Sequence, residues 1–116
     1  MQYALLVYEH EAAPGPGAGN TAVSEILARH MAFARDLGAT RIGGVGLKPT
    51  VSATTVRTQG SARTVHDGPF AETKEQLGGL YLIDVPDLDA AIAIARNVPL
   101  AGDGAIEIRP LMVVNH

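Results

Sequence analysis

Two short apolar runs anchor the chain, Tyr3-Ala4-Leu5-Leu6-Val7-Tyr8 and Leu80-Tyr81-Leu82-Ile83-Asp84-Val85. Runs of this length and residue type predict strands. Alternate side chains on a strand point to opposite faces. In the first run Tyr3, Leu5 and Val7 share one face and Ala4, Leu6 and Tyr8 the other, and both sets are largely apolar. Both faces of these strands therefore need cover.

Between them the period changes. Val23, Ile26, Leu27, His30, Ala34 and Leu37 recur at helical spacing, which predicts an amphipathic helix. Asn20 or Thr21 is expected to cap it, with Glu25 in its first turn and Gly38 closing it. Ala12 to Gly19, with Pro14 and Pro16 among glycines, predicts a mobile loop. Arg41 to Leu47 predicts a short strand or extended connection, broken at Lys48-Pro49. Ala53 to Arg57 and Ala62 to His66 predict a polar hairpin turning near Gln59-Gly60. Asp87 is placed to cap a second helix, with Leu88, Ala91, Ile92 and Ala95 as its buried stripe. Pro99 and Gly102 close that unit. Ile106 to Val113 predicts the last strand, with Ile106 and Ile108 on one face and Glu107 and Arg109 on the other.

The order is β-α-β, a hairpin arm, then β-α-β. This is an α+β plan, the ferredoxin-like split βαβ, with two helices on one face of an antiparallel sheet. The second sheet face, apolar by the alternation above, is left bare. A second copy of the chain is the simplest cover, so a homodimer packed sheet to sheet is expected, with a ligand cleft near the interface.

Composition narrows the classes. The 116 residues form one domain, 1–116, and 47 % hydrophobic content argues against disorder. A net charge of −3, with nine basic residues scattered from Arg29 to Arg109, gives no electrostatic case for nucleic acid. No cysteine is present, which excludes disulfides, a thiolate nucleophile and cysteine metal sites. Neither a leader-like pattern nor a membrane-length apolar run is found, so no membrane association is expected and cytoplasmic residence is the default.

The densest cluster of chemistry runs from His66-Asp67-Gly68-Pro69-Phe70 through Glu72-Thr73-Lys74-Glu75 to Gly78-Gly79 and the second strand. Asp-Gly-Pro is strong turn punctuation, because glycine accepts a positive φ and proline fixes the next one. Loops carried on rigid strands are favoured binding places. Asp67 could orient a catalytic imidazole, or hydrogen-bond the amides of its own loop. Thr73 and Lys74 could hold an anionic substrate group, or form a solvated turn with Glu72 and Glu75 balancing the lysine. Tyr8 and Tyr81 could line a cleft and donate hydroxyls, or pack with a wet tip.

His30 lies on the apolar stripe of the first helix. It is either a core histidine bonded to a carbonyl or a general acid or base in an apolar cleft. Burial disfavours its charged form and a nearby carboxylate restores it. His66 and Asp67 are consecutive and point to opposite faces of a strand. A metal site from His30, His66 and Asp67 has no close-spaced ligand motif behind it. Gly43, Gly44 and Gly46 do not complete a dinucleotide fingerprint, and neither a phosphate loop nor a nucleophile elbow is present. Neither metal nor organic cofactor is expected. His10 and His116 lie at the edges and carry no argument.

The chain resembles the YCII-related family, in its DGPF-type branch. The resemblance rests on Tyr3-Ala4-Leu5-Leu6-Val7-Tyr8, His30 with Phe33, Gly43-Gly44-Val45-Gly46-Leu47 with Pro49, and Ala53-Thr54-Thr55-Val56-Arg57. To these it adds Asp67-Gly68-Pro69-Phe70 through Val85, and Glu107-Ile108-Arg109-Pro110-Leu111-Met112. It implies a dimeric α+β barrel, a functional histidine matched by His30, and an acidic partner. The broader family commonly carries an Asp-Pro pair after the second helix. Here Asn97-Val98-Pro99 stands there, so Asp67 becomes the candidate in its place. Leu80 departs from the aromatic often found before Tyr81.

Most members are uncharacterised, and some occur alongside extracytoplasmic-function sigma factors. Two readings follow. One is a cofactor-independent lyase or isomerase acting on an unknown small molecule in a dimer cleft. In it His30 moves a proton, Asp67 orients it, and Tyr8, Thr73, Lys74 and Tyr81 position the substrate. The other is a non-catalytic ligand-binding or regulatory module, linked to sigma-factor signalling.

Overall fold

The structure, a computed structural model, describes residues 1–11 and 19–113, with the side chains of residues 19–22 outside the description. The bulk of the expected Ala12–Gly19 loop and His116 therefore lie outside the described residues. The elements are β1 (Gln2–His10), α1 (Gly19–Leu37), β2 (Arg41–Gly46), β3 (Thr54–Gln59), β4 (Ala62–Asp67), β5 (Glu75–Asp84), α2 (Leu88–Ala95) and β6 (Gly104–Pro110). The chain is α+β. Four strands form one sheet in the order β2-β5-β1-β6, and β3 and β4 pair as a separate arm. Every pairing is antiparallel.

Register explains the core. Leu5 stands opposite Tyr81 on β5 and Ile108 on β6, while Tyr3 faces Ile83 and Val7 faces Ile106. Tyr3, Leu5, Val7, Ile83 and Val85 form one buried layer with Ala91 and Val98. Phe33 and Leu37 from α1, and Ala90, Ile94 and Ala95 from α2, pack against the same layer. Both helices thus cover one sheet face. Leu5 and Ile83 are fully buried, each contributing roughly 1.5–3 kcal/mol by leaving water. The opposite face carries Ala4, Leu6, Leu80 and Leu82 in facing register, with Val45 beside Leu80.

Boundaries differ from expectation in informative ways. β5 begins at Glu75, not Leu80, and runs straight through Gly78-Gly79. A Cβ on Gly79 would stand 2.8 Å from the Val45 carbonyl oxygen, so the glycine lets β2 and β5 close rather than marking a loop. At Gly78 the strand bulges: Val7 pairs with Gly79 while Tyr8 pairs with Leu77. The Gly78 carbonyl accepts from the Leu47 amide at 2.9 Å. β1 is longer than its apolar run, because Glu9 and His10 continue its pairing with β5. β6 starts at Gly104 and ends at Pro110, short of Val113. Beyond it, Leu111 still donates to the Gln2 carbonyl at 2.9 Å, while Met112 and Val113 are exposed.

The helices correct the expectation further. α1 begins at Gly19, so Asn20 and Thr21 fall inside its first turn, and Glu25 lies beyond that turn. First-turn amides lack intrahelical partners, so cap-type residues are tolerated there. Val23 and Leu27 are exposed, and Phe33 takes the inward place instead. Asp87 caps α2 as expected, its Oδ1 accepting from the Ala90 amide at 2.9 Å. Leu88 is exposed; its place so near the cap lies off the inward face, which Ala90, Ala91, Ile94 and Ala95 occupy.

The arm pairs Thr54 with Asp67, Val56 with Val65 and Thr58 with Arg63. None of its strand residues is buried. Among the described residues no helix is long and apolar enough to cross a membrane.

Candidate functional site

A cavity of about 390 Å³ opens beside α1 on the helix side of the sheet, between the helix and the edge formed by β2 and β5. Ile26, Leu27 and Ala34 supply an apolar wall from α1. Val7 and Glu9 reach it from β1, Arg41 and Gly44 from β2, and Gly78, Gly79 and Tyr81 from β5. His30 projects into it one helical turn after Ile26.

Tyr81 holds that imidazole. Its hydroxyl lies 2.7 Å from His30 Nδ1, and the two rings stack with centroids 6.0 Å apart. Phe33 meets the Tyr81 ring edge-on at 5.1 Å and fixes it from the core side. Nε2 of His30 has no hydrogen-bond partner among the described residues, and no buried side-chain nitrogen or oxygen there is left unsatisfied. Nε2 is therefore open to the cavity. The Nδ1 bond sets the tautomer. If Nδ1–H donates to Tyr81, Nε2 is a base; if Tyr81 donates to Nδ1, Nε2–H is a donor.

The electrostatics favour neutral partners. Burial pushes the His30 imidazole below its ordinary value; Glu9 opposes that shift and Arg29 adds to it. Burial also pushes the Tyr81 phenol up, with Arg41 acting the other way. A neutral imidazole bonded to a protonated phenol is suited to proton transfer near neutrality.

Gly44 makes this geometry possible. A Cβ there would meet the Leu80 carbonyl oxygen at 3.1 Å, Tyr81 Cδ1 at 3.3 Å and an Arg41 guanidinium nitrogen at 3.4 Å. The glycine leaves room for the phenol ring and the guanidinium together.

The sequence-predicted residues divide between places. His30 and Tyr81 come together in the cavity. Tyr8 and Thr73 line a second, shallower hollow of about 590 Å³ at the base of the arm, with Pro69 and Phe70. Thr73 Oγ1 donates to the Glu75 carbonyl at 2.6 Å. Lys74 is exposed and lines neither hollow. Asp67 is exposed at the end of β4, opposite Thr54, and the described contacts of one chain do not include a bond to His30. His66 bonds Thr64 on its own strand, Nε2 to Oγ1 3.0 Å. Among the described residues, no three His, Asp or Glu side chains gather to hold a metal.

The Asp-Gly-Pro-Phe segment has its own bonds. Gly68, at φ +105°, donates its amide to the Ala53 carbonyl at 2.7 Å, and its carbonyl accepts from Thr55 Oγ1 at 2.7 Å. Arg57 donates to the Phe70 carbonyl at 3.3 Å and lies 5.0 Å over the Phe70 ring. Gln76 Nε2 donates to the carbonyls of Ala71 at 2.7 Å and Thr73 at 3.2 Å. The segment thus fastens the arm to the end of β5.

Glu9 and Arg41 were missed by the sequence reading. Glu9 continues the inward set of Val7 and was recoverable by extending β1 two residues. Arg41 was not, because a bulge between Arg41 and Gly43 sets its place beside β5.

Comparison with known proteins supplies the family. The YCII-related domain matches residues 1–115. The chain is also similar to an uncharacterized protein, R00369, of Rhizobium meliloti (strain 1021), with 40 % identity over 116 residues, covering 96 % of this chain and 92 % of that protein. A match running from the first strand past the last one takes in His30, Tyr81 and the arm alike, and the chain belongs to the YCII-related domain family.

Proposed function

We propose that this protein is a cofactor-independent acid–base catalyst of the lyase or isomerase type, acting on a small molecule in the His30 cavity. One observation carries the reading: His30 is bound through Nδ1 to Tyr81 at 2.7 Å, and its Nε2 has no partner among the described residues. An oriented imidazole with one open nitrogen, kept neutral by burial, is the equipment such a reaction needs. Tyr81 orients the ring within one chain. Asp67 belongs to the proposal as a group carried on the arm, to be brought to a His30 cleft by a second copy.

The finer architecture is part of the same proposal: a ferredoxin-like domain of the DGPF-type branch, in the cytoplasm, paired through the bare sheet face. The facing apolar set Leu6, Leu80 and Leu82, beside exposed Val45, supports pairing. Light scattering on a sizing column is expected to give twice the chain mass; a monomer at micromolar concentration would overturn the pairing.

The reaction is tested by solvent-deuterium incorporation into a panel of enolisable ketones and oxo acids, followed by NMR. His30→Gln is expected to lose about 100- to 10,000-fold in rate, and Asp67→Asn tests the arm. Absence of incorporation above buffer, or equal rates in His30→Gln, overturns catalysis. The alternative, a ligand-binding or regulatory module tied to sigma-factor signalling, is favoured by one feature: exposed Val56, Val65 and Phe70 on the arm.

A further inference from the structure

The charges around the His30 cavity are unequally committed. Arg41 opens β2 opposite Ile83, while Glu9 stands opposite Gln76, seven residues away along β5. The Arg41 guanidinium turns back along β2 until one nitrogen lies 3.4 Å from the point where a Gly44 Cβ would project, and the Tyr81 ring lies 3.3 Å from that same point. Arg41 is exposed and lines the cavity, with its guanidinium near the ring of the phenol that holds His30. The ion pairs of the described residues are Met1–Asp84 and Arg109–Glu107, so Arg41 has no acidic partner among them. Its planar fork is shaped to take a carboxylate through two parallel hydrogen bonds.

The far end is closed to a second anion. Glu9 is half-buried and accepts from the Ala101 amide at 3.1 Å through Oε2. Its Oε1 lies 3.7 Å from where a Gly78 Cβ would stand, against the cavity wall. A ligand with negative charge at that end meets like charge at a half-buried carboxylate. Between the ends the α1 wall is apolar. The volume, about 390 Å³, suits a small metabolite.

From this arrangement we propose that the cavity binds a small monocarboxylate. Its carboxylate lies on the Arg41 guanidinium, its apolar body runs along Ile26 and Ala34, and the carbon next to the carboxylate faces the His30–Tyr81 pair. The inference rests on the acid–base reading for which carbon reacts, but the binding mode stands apart from whether a reaction occurs.

The test is an NMR titration of the full chain with butyrate, butyramide, succinate and inorganic phosphate. The imidazole nitrogens of His30 and the backbone amides of β2 are the reporters. Butyrate is expected to give saturable shifts at both. Butyramide, lacking the charge, is expected to bind about ten-fold more weakly or not at all, and succinate and phosphate are expected to be weaker than butyrate. Arg41→Gln is expected to lose butyrate by about ten-fold or more, with Arg41→Lys between it and the native chain. An unchanged His30–Tyr81 signature verifies that these variants remain folded. No saturable shift, equal binding of butyramide, tighter binding of phosphate, or full affinity in folded Arg41→Gln each overturns the proposal. If butyrate fails while deuterium incorporation still depends on His30, the carboxylate class falls and the acid–base reading stands. The reverse pattern fells the reaction and leaves the binding site.

Discussion

At the cavity, a half-buried imidazole bonds Tyr81 through one nitrogen and leaves the other open. At the base of the arm, Thr55, Arg57, Thr73 and Gln76 all donate to backbone carbonyls of their own neighbourhood. Both places are rich in polar side chains, yet those four arm groups bond inward, whereas the cavity's imidazole keeps one nitrogen open. Bonds made inward give shape. Valence left open gives a ligand something to hold.

Glycine substitutions test that difference most strongly. A Cβ at Gly44 stands tight against the Leu80 carbonyl oxygen at 3.1 Å and Tyr81 Cδ1 at 3.3 Å, with the Arg41 guanidinium in contact at 3.4 Å, and a branched side chain has further to reach. Gly44→Val is expected to cost about 1–3 kcal/mol of unfolding free energy, read by urea denaturation, and to displace Tyr81 from His30. Gly68 faces open space and needs only its φ of +105°. Gly68→Ala is expected to cost about 1 kcal/mol and to leave the His30 resonances in place. If the Gly68 variant disturbs His30 more than the Gly44 variant does, the arm and the cavity are coupled and the comparison fails.

Side-chain deletions are a finer probe. Tyr81→Phe keeps the ring that Phe33 packs against and removes only the hydroxyl, at about 0.5–1.5 kcal/mol. The informative readout is His30: burial rather than the Tyr81 bond depresses its imidazole, so its titration should stay below the ordinary range while the ring loses its fixed orientation. Phe70→Ala removes the ring beneath Arg57, an exposed cation–π contact worth about 0.5–1 kcal/mol. Its effect is expected to stay within β3 and β4, seen as faster amide exchange there with the urea midpoint nearly unchanged. A Phe70→Ala variant that unfolds the four-stranded sheet would show that the arm supports the core.

How much of this was readable in the sequence follows from where each constraint is set. Leu5 and Ile83 sit in dense apolar runs, so periodicity found their strands and the two-sided demand for cover. Asp87 announced its helix because capping is a local bond. His30 was placed on the inward stripe by spacing alone. What stayed hidden depends on strand register. The Gly78-Gly79 pair reads as a loop until Val45 is known to approach it. Arg41 is an exposed arginine that nothing in the sequence ties to the cavity until Gly44 is seen to leave it room beside Tyr81. The conspicuous Asp67-Gly68-Pro69-Phe70 segment drew attention to the arm because turn chemistry is compact in sequence. The cavity, assembled from β1, α1, β2 and β5, has no compact signature.

The smallest expected effect is the dependence of stability on pH. His30 is depressed in the folded chain by burial, so the native state binds fewer protons than the unfolded one as pH falls below about 6.5, the ordinary imidazole value. Its contribution is then fully present above that pH and is lost as pH falls through the folded value. Tyr81 is raised by burial, so its contribution is present below the ordinary phenol value of about 10 and is lost as pH rises through the folded value. Both groups are partly solvated, which keeps the slopes shallow. Differences between native and variant chains isolate each group. Native minus His30→Gln stability should fall only on the acid side, and native minus Tyr81→Phe stability only on the alkaline side. A native-minus-His30→Gln difference that instead grows toward acid would mean the folded cavity prefers the imidazolium, with Glu9 outweighing burial. Nε2 would then enter the site as a cationic donor, and the acid–base assignment would have to be exchanged.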